Sequence, residues 1–352
     1  MADHHAPQQL RQKIYFIASL VILVALFFLV FYRKPPPAET AVPFHMSYGP
    51  KGIGDAWQNG GLFKPAVNLE HLTYDWYYDW SFSYQPQRSA DPKYVRMVWC
   101  DAIQETDVYG QPHTIAEIAQ DDFQNGRSGR VWLVYNEPDA PGVQCGETFA
   151  NDPVAAAQHY SAVYDMIKEN DPHARVFAGG LLWLSSQETR IWWWSFIDTL
   201  ALAGELDKIE GVHIHLYPTI TDQPVRGEYG DPATCQDGRC LVSLVQAAND
   251  WYQHIHVGSG LGDRPIWITE AGWLFCDGYD HAWIEHNFMK PLSQWFTRDP
   301  AWPHPDISTN PGYTAIAWYV TRDPDWFPCT YLLDNAAPTP LGHFWNQLTI
   351  NN

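Results

Sequence analysis

The sequence predicts an α/β fold, a (β/α)8 barrel of parallel strands, preceded by a single apolar N-terminal helix. Three observations carry this reading. Short runs rich in Val, Ile, Leu and aromatic residues alternate along the chain with segments of helical periodicity, the order expected of a parallel sheet wrapped by helices. Several runs contain no polar alternation, as in strands covered on both faces. Two of them, far apart in the chain, each end on a glutamate.

Taken in order, residues 1–13 are polar and read as a cytoplasmic tail. Ile14 to Tyr32 is 19 residues without a charge, and as a helix it would span roughly 28 Å, one hydrocarbon core. Residues 14–32 are therefore expected to anchor the chain in a lipid bilayer. A cleaved signal peptide would have a shorter apolar core of about 7–15 residues. Arg11 and Lys13 precede the segment and Arg33 and Lys34 follow it, so charge bias alone leaves its orientation open. Residues 33–43, with Pro35-Pro36-Pro37, form a stiff spacer. Residues 44–352 are then one catalytic domain of barrel size.

Within that domain the first strand is expected between Pro43 and Ile53. The second, His71 to Tyr78, enters the aromatic cluster Trp76, Tyr77, Tyr78 and Trp80, and the third is Tyr94 to Trp99. A helix over Thr114 to Phe123 leads through the Gly126 to Gly129 turn into Arg130-Val-Trp-Leu-Val-Tyr-Asn136-Glu137-Pro138-Asp139. Pro138 has no N–H for the ladder, so this fourth strand should stop near Glu137. Asp152-Pro153 caps and opens a helix to Asn170. Then come a fifth strand, Arg175 to Leu182, an aromatic helix, Ile191 to Leu202, and a sixth strand, Gly211 to Tyr217. A helix from Leu241 to Val257, a seventh strand, Pro265 to Glu270, and an eighth, Tyr313 to Val320, complete a barrel of strands connected by helices.

Composition narrows the partners. A net charge of −19 excludes nucleic acid and anionic polysaccharides as the main partner and leaves a neutral polysaccharide or oligosaccharide. The chain has 18 Trp residues, more than a core needs, and flat rings suit the C–H faces of sugars. Of six cysteines, Cys145, Cys235, Cys240, Cys276 and Cys329 fall in loop sequences. Loop cysteines in a chain with an even total point to disulfides, and hence to a domain outside the cytoplasm. Cys235 and Cys240 are close enough to bridge, with connectivity otherwise open. The absence of a CxxC pair argues against zinc.

The chemistry lies at strand ends. A parallel barrel presents the C-terminal ends of its strands on one face. There Glu137 and Glu270 would supply the two carboxyl groups that glycosidic cleavage needs. Either glutamate alone could be a surface acid; two such endings in one chain make that reading weak. Alternation places His213, His215 and Tyr217 on one face of the sixth strand. His213 reads as a satisfied core group, while His215 and Tyr217 should flank the glutamates. A His-x-His pair can hold a metal, but no further ligands accompany it, so a metal is not expected there. Trp318 is expected as the floor beneath the sugar at the cleavage point. Tyr78, Trp80, Trp99 and Trp273 are further candidate sugar-binding rings, and Asn136 a donor to the substrate 2-hydroxyl.

Asn136-Glu137-Pro138 and Thr269-Glu270 resemble the acid/base and nucleophile motifs of the clan A retaining glycoside hydrolases, which are TIM barrels. The combination Trp76-Tyr-Tyr-Asp-Trp80, Val95-Arg-Met-Val-Trp99, Asn136-Glu-Pro-Asp139, His213-Ile-His-Leu-Tyr217 and Pro265-Ile-Trp-Ile-Thr-Glu270 is similar to glycoside hydrolase family 128, a group of endo-β-1,3-glucanases. The resemblance implies Glu137 as acid/base, Glu270 as nucleophile, a covalent glycosyl intermediate and no cofactor. Asp79 stands where the similar motif usually carries Asn, His213 adds a polar group, and the Cys-bearing loops at 141–149 and 227–240 look like additions. Three other functions stay open on sequence alone: a transglycosylase, a catalytically silent glycan-binding or structural subunit of a surface assembly, and a metal-dependent hydrolase using His213 and His215.

Overall fold

The computed structural model describes residues 48–350, apart from 56, 60–61, 65–68, 84–85, 143, 219–238, 275, 277–278, 323–326 and 335–336. Eight parallel strands form its centre: β1 (Lys51–Gly54), β2 (Trp76–Tyr78), β3 (Arg96–Val98), β4 (Val131–Val134), β5 (Arg175–Leu181), β6 (Gly211–Leu216), β7 (Ile266–Ala271) and β8 (Tyr313–Tyr319). The sheet order is β2-β1-β8-β7-β6-β5-β4-β3. A parallel bridge between Tyr77 and Tyr94 joins the two edges, with Tyr77 N–H donating to Lys93 O at 3.0 Å and Val95 N–H to Tyr77 O at 2.8 Å. The predicted eight-stranded parallel barrel is therefore present. The proposed membrane segment, residues 14–32, lies outside the described residues, among which no helix is long and apolar enough to cross a membrane.

Local sequence explains the helices. In α1 (Ile115–Gln124) Thr114 and Glu117 form a reciprocal capping box. In α2 (Pro153–Asn170) the Asp152 side chain accepts from Ala155 N–H at 2.9 Å. Ser186 caps α3 (Gln187–Ala203), and Gly204, at φ 73°, ends it in the left-handed region. Helix α4 (Arg239–Asp250) continues into a π-turn over Trp251–His256, and α5 (Pro340–Gln347) closes the chain. A helical run over 281–296 separates β7 from β8.

Three expectations need correction. Among the described residues β1, β2 and β3 are joined without an α-helix; a ribbon (Trp57–Asn59 with Leu62–Lys64) and 3-10 turns (Leu69–His71, Pro86–Ala90) stand there instead. The second strand is accordingly shorter than His71 to Tyr78. The fourth stops at Val134, three residues before Glu137, because Tyr135 already has φ 81°.

Two apolar layers follow from strand alternation. Val212, Ile214 and Leu216 pack outward among the helices, while Trp76, Phe177 and Trp267 fill the barrel interior. The Trp76 and Trp267 rings are 4.7 Å apart. Rings this large fit because small residues face them: Ala315 and Ala317 on β8, and Gly52, where a Cβ would lie 2.2 Å from the Trp76 ring. Outside β3 the fully buried Arg96 guanidinium meets Asp122 of α1 at 2.6 and 2.9 Å, and Arg130 reaches the same carboxylate at 3.3 Å. Removing one partner of such a buried cluster leaves the rest uncompensated. Asp122→Ala should therefore cost roughly 3–5 kcal/mol in denaturant unfolding. A loss below about 1 kcal/mol would show that the cluster carries no more than a surface pair.

Candidate active site

Glu137 and Glu270 come together at the C-terminal face of the barrel, as the strand ends require. A bulge does this on β7. Ile268 pairs with Ile214 but Glu270 pairs with His215, so Thr269 is the extra residue. Thr269 points inward to His213, with Oγ1 3.2 Å from Nδ1, and Glu270 leans to the same side. Glu137 lies beyond β4 in a tight turn with φ 55°, a conformation that costs a non-glycine residue energy and that its surroundings must hold. Its N–H donates to Gly180 O at 2.8 Å. Asp139 accepts from Leu182 N–H at 3.1 Å and Thr189 Oγ1 at 2.6 Å, stapling the turn to β5 and α3. Gly180, at φ 68°, makes the approach possible, since a Cβ there would sit 2.9 Å from Tyr135 O. A disulfide between Cys100 and Cys145 ties the end of β3 to the same turn, where Cys145 N–H donates to Asn136 O at 3.0 Å.

The two carboxyl groups have different surroundings. Glu270 accepts from Tyr78 OH at 3.0 Å and Trp80 Nε1 at 2.7 Å on one oxygen, and from Tyr217 OH at 2.6 Å on the other. Three donors aimed at one carboxyl group stabilise negative charge on it. Glu137 has a single side-chain partner, His215, whose Nδ1 lies 3.1 Å from Glu137 Oε1 and 3.4 Å from Glu270 Oε2. One oxygen of each carboxyl group and a ring nitrogen of His215 all lie within 4.8 Å of one another.

The titration directions follow from burial and charge. Burial pushes the Glu137 carboxyl above the ordinary glutamate range; hydrogen bonding and charge from His215 oppose this, and the Glu270 charge adds to it. Burial alone would lower His215, but the charge of Glu270 and the contact with Glu137 outweigh it and raise the imidazole above its usual value. Burial, reinforced by Glu270, holds Tyr78 and Tyr217 well above the ordinary phenol value, so both remain donors. His213 is pushed down to about 3, first by burial and then by His215. Its ring nitrogens meet Val134 O at 3.1 Å and Thr269 Oγ1 at 3.2 Å, the satisfied core group expected of it. The described residues with metal-ligand spacing are Glu137, His215 and Glu270, not a His213–His215 pair.

Residues 54–342 match the family model described as the glycosyl hydrolase catalytic core. The chain belongs to that family. Among solved structures, this glycoside hydrolase is similar to an endo-β-1,3-glucanase of family 128, subgroup II, from Pseudomonas viridiflava. They share 18% identity with a TM-score of 0.54, over 86% of this chain and 98% of the other. A second family 128, subgroup II, endo-β-1,3-glucanase, from Sorangium cellulosum, matches at 16% identity and TM-score 0.50, over 84% and 97% of the two chains. The catalytic core of a xylanase A matches at 13% and 0.51, over 85% and 97%. At these identities the likeness shows the barrel fold. No curated protein sequence matches the chain.

Of the residues singled out in the sequence, Glu137, Glu270, His215, Tyr217, Tyr78 and Trp80 form one hydrogen-bonded cluster. Asn136 sits beside it, buried, with no hydrogen-bond partner for Oδ1 among the described residues; the same holds for His215 Nε2. Trp99 is half-buried at the end of β3 against both apolar layers. Trp318 and Trp273 are elsewhere. Trp318 points outward to Phe288 and Trp345, its Nε1 donating to Thr330 O at 2.8 Å, because β8 turns Ala315, Ala317 and Tyr319 inward. Trp273 is buried among Tyr279, Trp283 and Phe288. The ring that does flank the cluster from β8 is Tyr319, 5.7 Å from both Tyr217 and Trp80. Its signal was present: Ala315 and Ala317 mark the crowded inner face, and Tyr319 continues that series.

The pH dependence follows from Glu137. As a proton donor to a leaving oxygen Glu137 would act only in its protonated form, so activity would be present below its pKa and lost as pH rises through it. His215 holds that pKa down, so His215→Phe should move the alkaline limb of kcat/KM upward. A downward shift would contradict the electrostatic account.

Proposed function

We propose that this glycoside hydrolase cleaves a neutral β-1,3-glucan with retention of anomeric configuration, on the outer side of a membrane to which residues 14–32 tether it. The observation that carries the mechanism is the close approach of Glu137 and Glu270, one oxygen of each within 4.8 Å. This accords with the separation of about 5–5.5 Å typical of retaining pairs, against roughly 6.5–9.5 Å where a water must fit between them. Glu270, oriented by Tyr78, Trp80 and Tyr217, attacks the anomeric carbon as the bond to the leaving oxygen breaks. Glu137 gives its proton to that oxygen. Once Glu270 is esterified its charge is gone, Glu137 is no longer held protonated by it, and it takes a proton from the incoming water. Asn136 is suited to hydrogen-bond the sugar 2-hydroxyl, with Trp80, Tyr319 and Trp99 supplying ring surface.

The substrate class is supported by the two family 128 neighbours, described as endo-β-1,3-glucanases, and by a net charge of −19 that disfavours acidic glycans. Among the described residues the disulfides Cys100–Cys145 and Cys276–Cys329 favour an oxidising compartment. Cys235, expected to bridge to Cys240, lies outside the described residues. The test is reducing-end release from β-1,3-, β-1,4- and mixed-linkage glucans, assayed in separated membrane and soluble fractions. The β-1,3-glucan should be cut, by the membrane fraction, and Glu270→Gln should lower the rate by roughly four orders of magnitude or more. Preference for a β-1,4-glucan would overturn the linkage, soluble activity the tether, and an active Glu270→Gln protein the mechanism.

A further inference from the structure

Trp80 donates to Glu270 from an unusual backbone position. It has φ 56° and stands just past β2, so its ring is aimed by the loop that follows it. Gly54 at the end of β1 leaves room for the indole, since a Cβ there would lie 2.9 Å from it. The loop's carbonyls accept from Met97 N–H at 2.9 Å, Tyr94 OH at 2.8 Å and Arg96, and its donors are gathered by a carboxyl group that the reaction itself does not use. Glu105 lies on a short ribbon after β3 (Gln104–Thr106 paired with Pro112–Thr114), and alternation turns it inward while Gln104 and Thr106 are exposed. One oxygen of Glu105 accepts from Ser81 Oγ at 2.6 Å, Phe82 N–H at 3.0 Å and Ser83 N–H at 3.1 Å. Those are the three residues after Trp80. Backbone donors collected on one partly buried carboxyl oxygen fix a loop whose backbone conformation is otherwise unfavourable.

We propose that Glu105 is a positioning residue for the nucleophile: by gathering the Ser81–Ser83 loop it orients the Trp80 indole on Glu270. The path is two contacts long, Glu105 to the loop and Trp80 Nε1 to Glu270 at 2.7 Å. Burial also pushes the Glu105 carboxyl up to about 7, against the pull of its Ser81, Ser83 and Phe82 donors. Because these contacts, and a fourth from Ser83 Oγ at 3.4 Å, all converge on a single oxygen, an amide in place of the acid retains the acceptor. Glu105→Gln should therefore behave nearly as the natural protein, and Glu105→Ala should not. Outer partners of this kind are worth about 10- to 100-fold in activity.

The inference rests on Glu270 being the nucleophile, so its test has one arm that needs no turnover. In the full-length protein labelled with [15N]tryptophan, the Trp80 indole N–H resonance is assigned by its loss in Trp80→Phe. Glu105→Ala should shift that resonance upfield and speed its exchange with solvent, while Glu105→Gln leaves it in place. An unmoved Trp80 resonance in Glu105→Ala would overturn the proposal whether or not the protein cuts glucan. In the kinetic arm, Glu105→Ala should lower kcat about 10- to 100-fold with little change in KM, and should add little to Trp80→Phe in a double-mutant cycle. Additive losses would mean that Glu105 acts by some route other than Trp80. A wild-type protein without glycan hydrolysis would count against the proposed function alone, since the indole arm still decides the role of Glu105.

Discussion

Two buried carboxyl groups with oxygens within 4.8 Å of one another set the terms for the whole catalytic face. At an effective dielectric of about 20, two full charges at that distance repel by on the order of 3 kcal/mol. The protein resolves the conflict by giving the two groups unequal company. Glu270 receives hydrogen bonds from Tyr78, Trp80 and Tyr217, while Glu137 is left with His215 and a buried setting that favours its proton. On the proposed mechanism this asymmetry separates an acid from a nucleophile, and it comes from neighbours supplied by two strands, β2 and β6, and the residues just after them rather than from the glutamates themselves.

Bringing those neighbours to one point explains the irregularities of the barrel. The extra residue on β7 turns both Thr269 and Glu270 toward the interior. Left-handed backbone at Trp80, Tyr135 and Glu137 places their side chains where a regular strand would not. Each is held from outside: Trp80 by the loop gathered on Glu105, Glu137 by Gly180, Asp139 and the Cys100–Cys145 bridge. Strain concentrates at the catalytic face, while the interior below it is packed by Trp76, Trp267 and Phe177 against small residues. The rigid lower barrel makes the unfavourable upper turns sustainable.

Much of this was legible in the sequence for one physical reason: a parallel strand covered on both faces leaves an uninterrupted apolar run, and a barrel puts its chemistry where such runs end. Glu137 and Glu270 were found that way, and His215 and Tyr217 by alternation along β6. On β8 the largest ring was the wrong guide to the groove: the small residues Ala315 and Ala317 mark the inner face, so Trp318 faces outward and Tyr319 inward. Trp273 was misplaced for a related reason, since a bulky ring after a strand can serve the outer layer as readily as a groove. Glu105 and the pairing of Cys100 with Cys145 could not be read at all, because both depend on contacts between loops whose approach no local pattern encodes.

The central claim is that Glu270 attacks the sugar while Glu137 protonates its leaving group. In a β-laminaribiosyl fluoride bearing fluorine at C2, the C2 fluorine slows both formation and breakdown of a glycosyl-enzyme, while the good leaving group restores the rate of formation, so the intermediate accumulates. After incubation, peptide mass spectrometry should find one added glycosyl unit on the peptide containing Glu270, and none when Gln replaces that residue. An adduct on Glu137 would reverse the roles assigned here, and turnover of the fluoride with no adduct and inverted product configuration would contradict the mechanism outright.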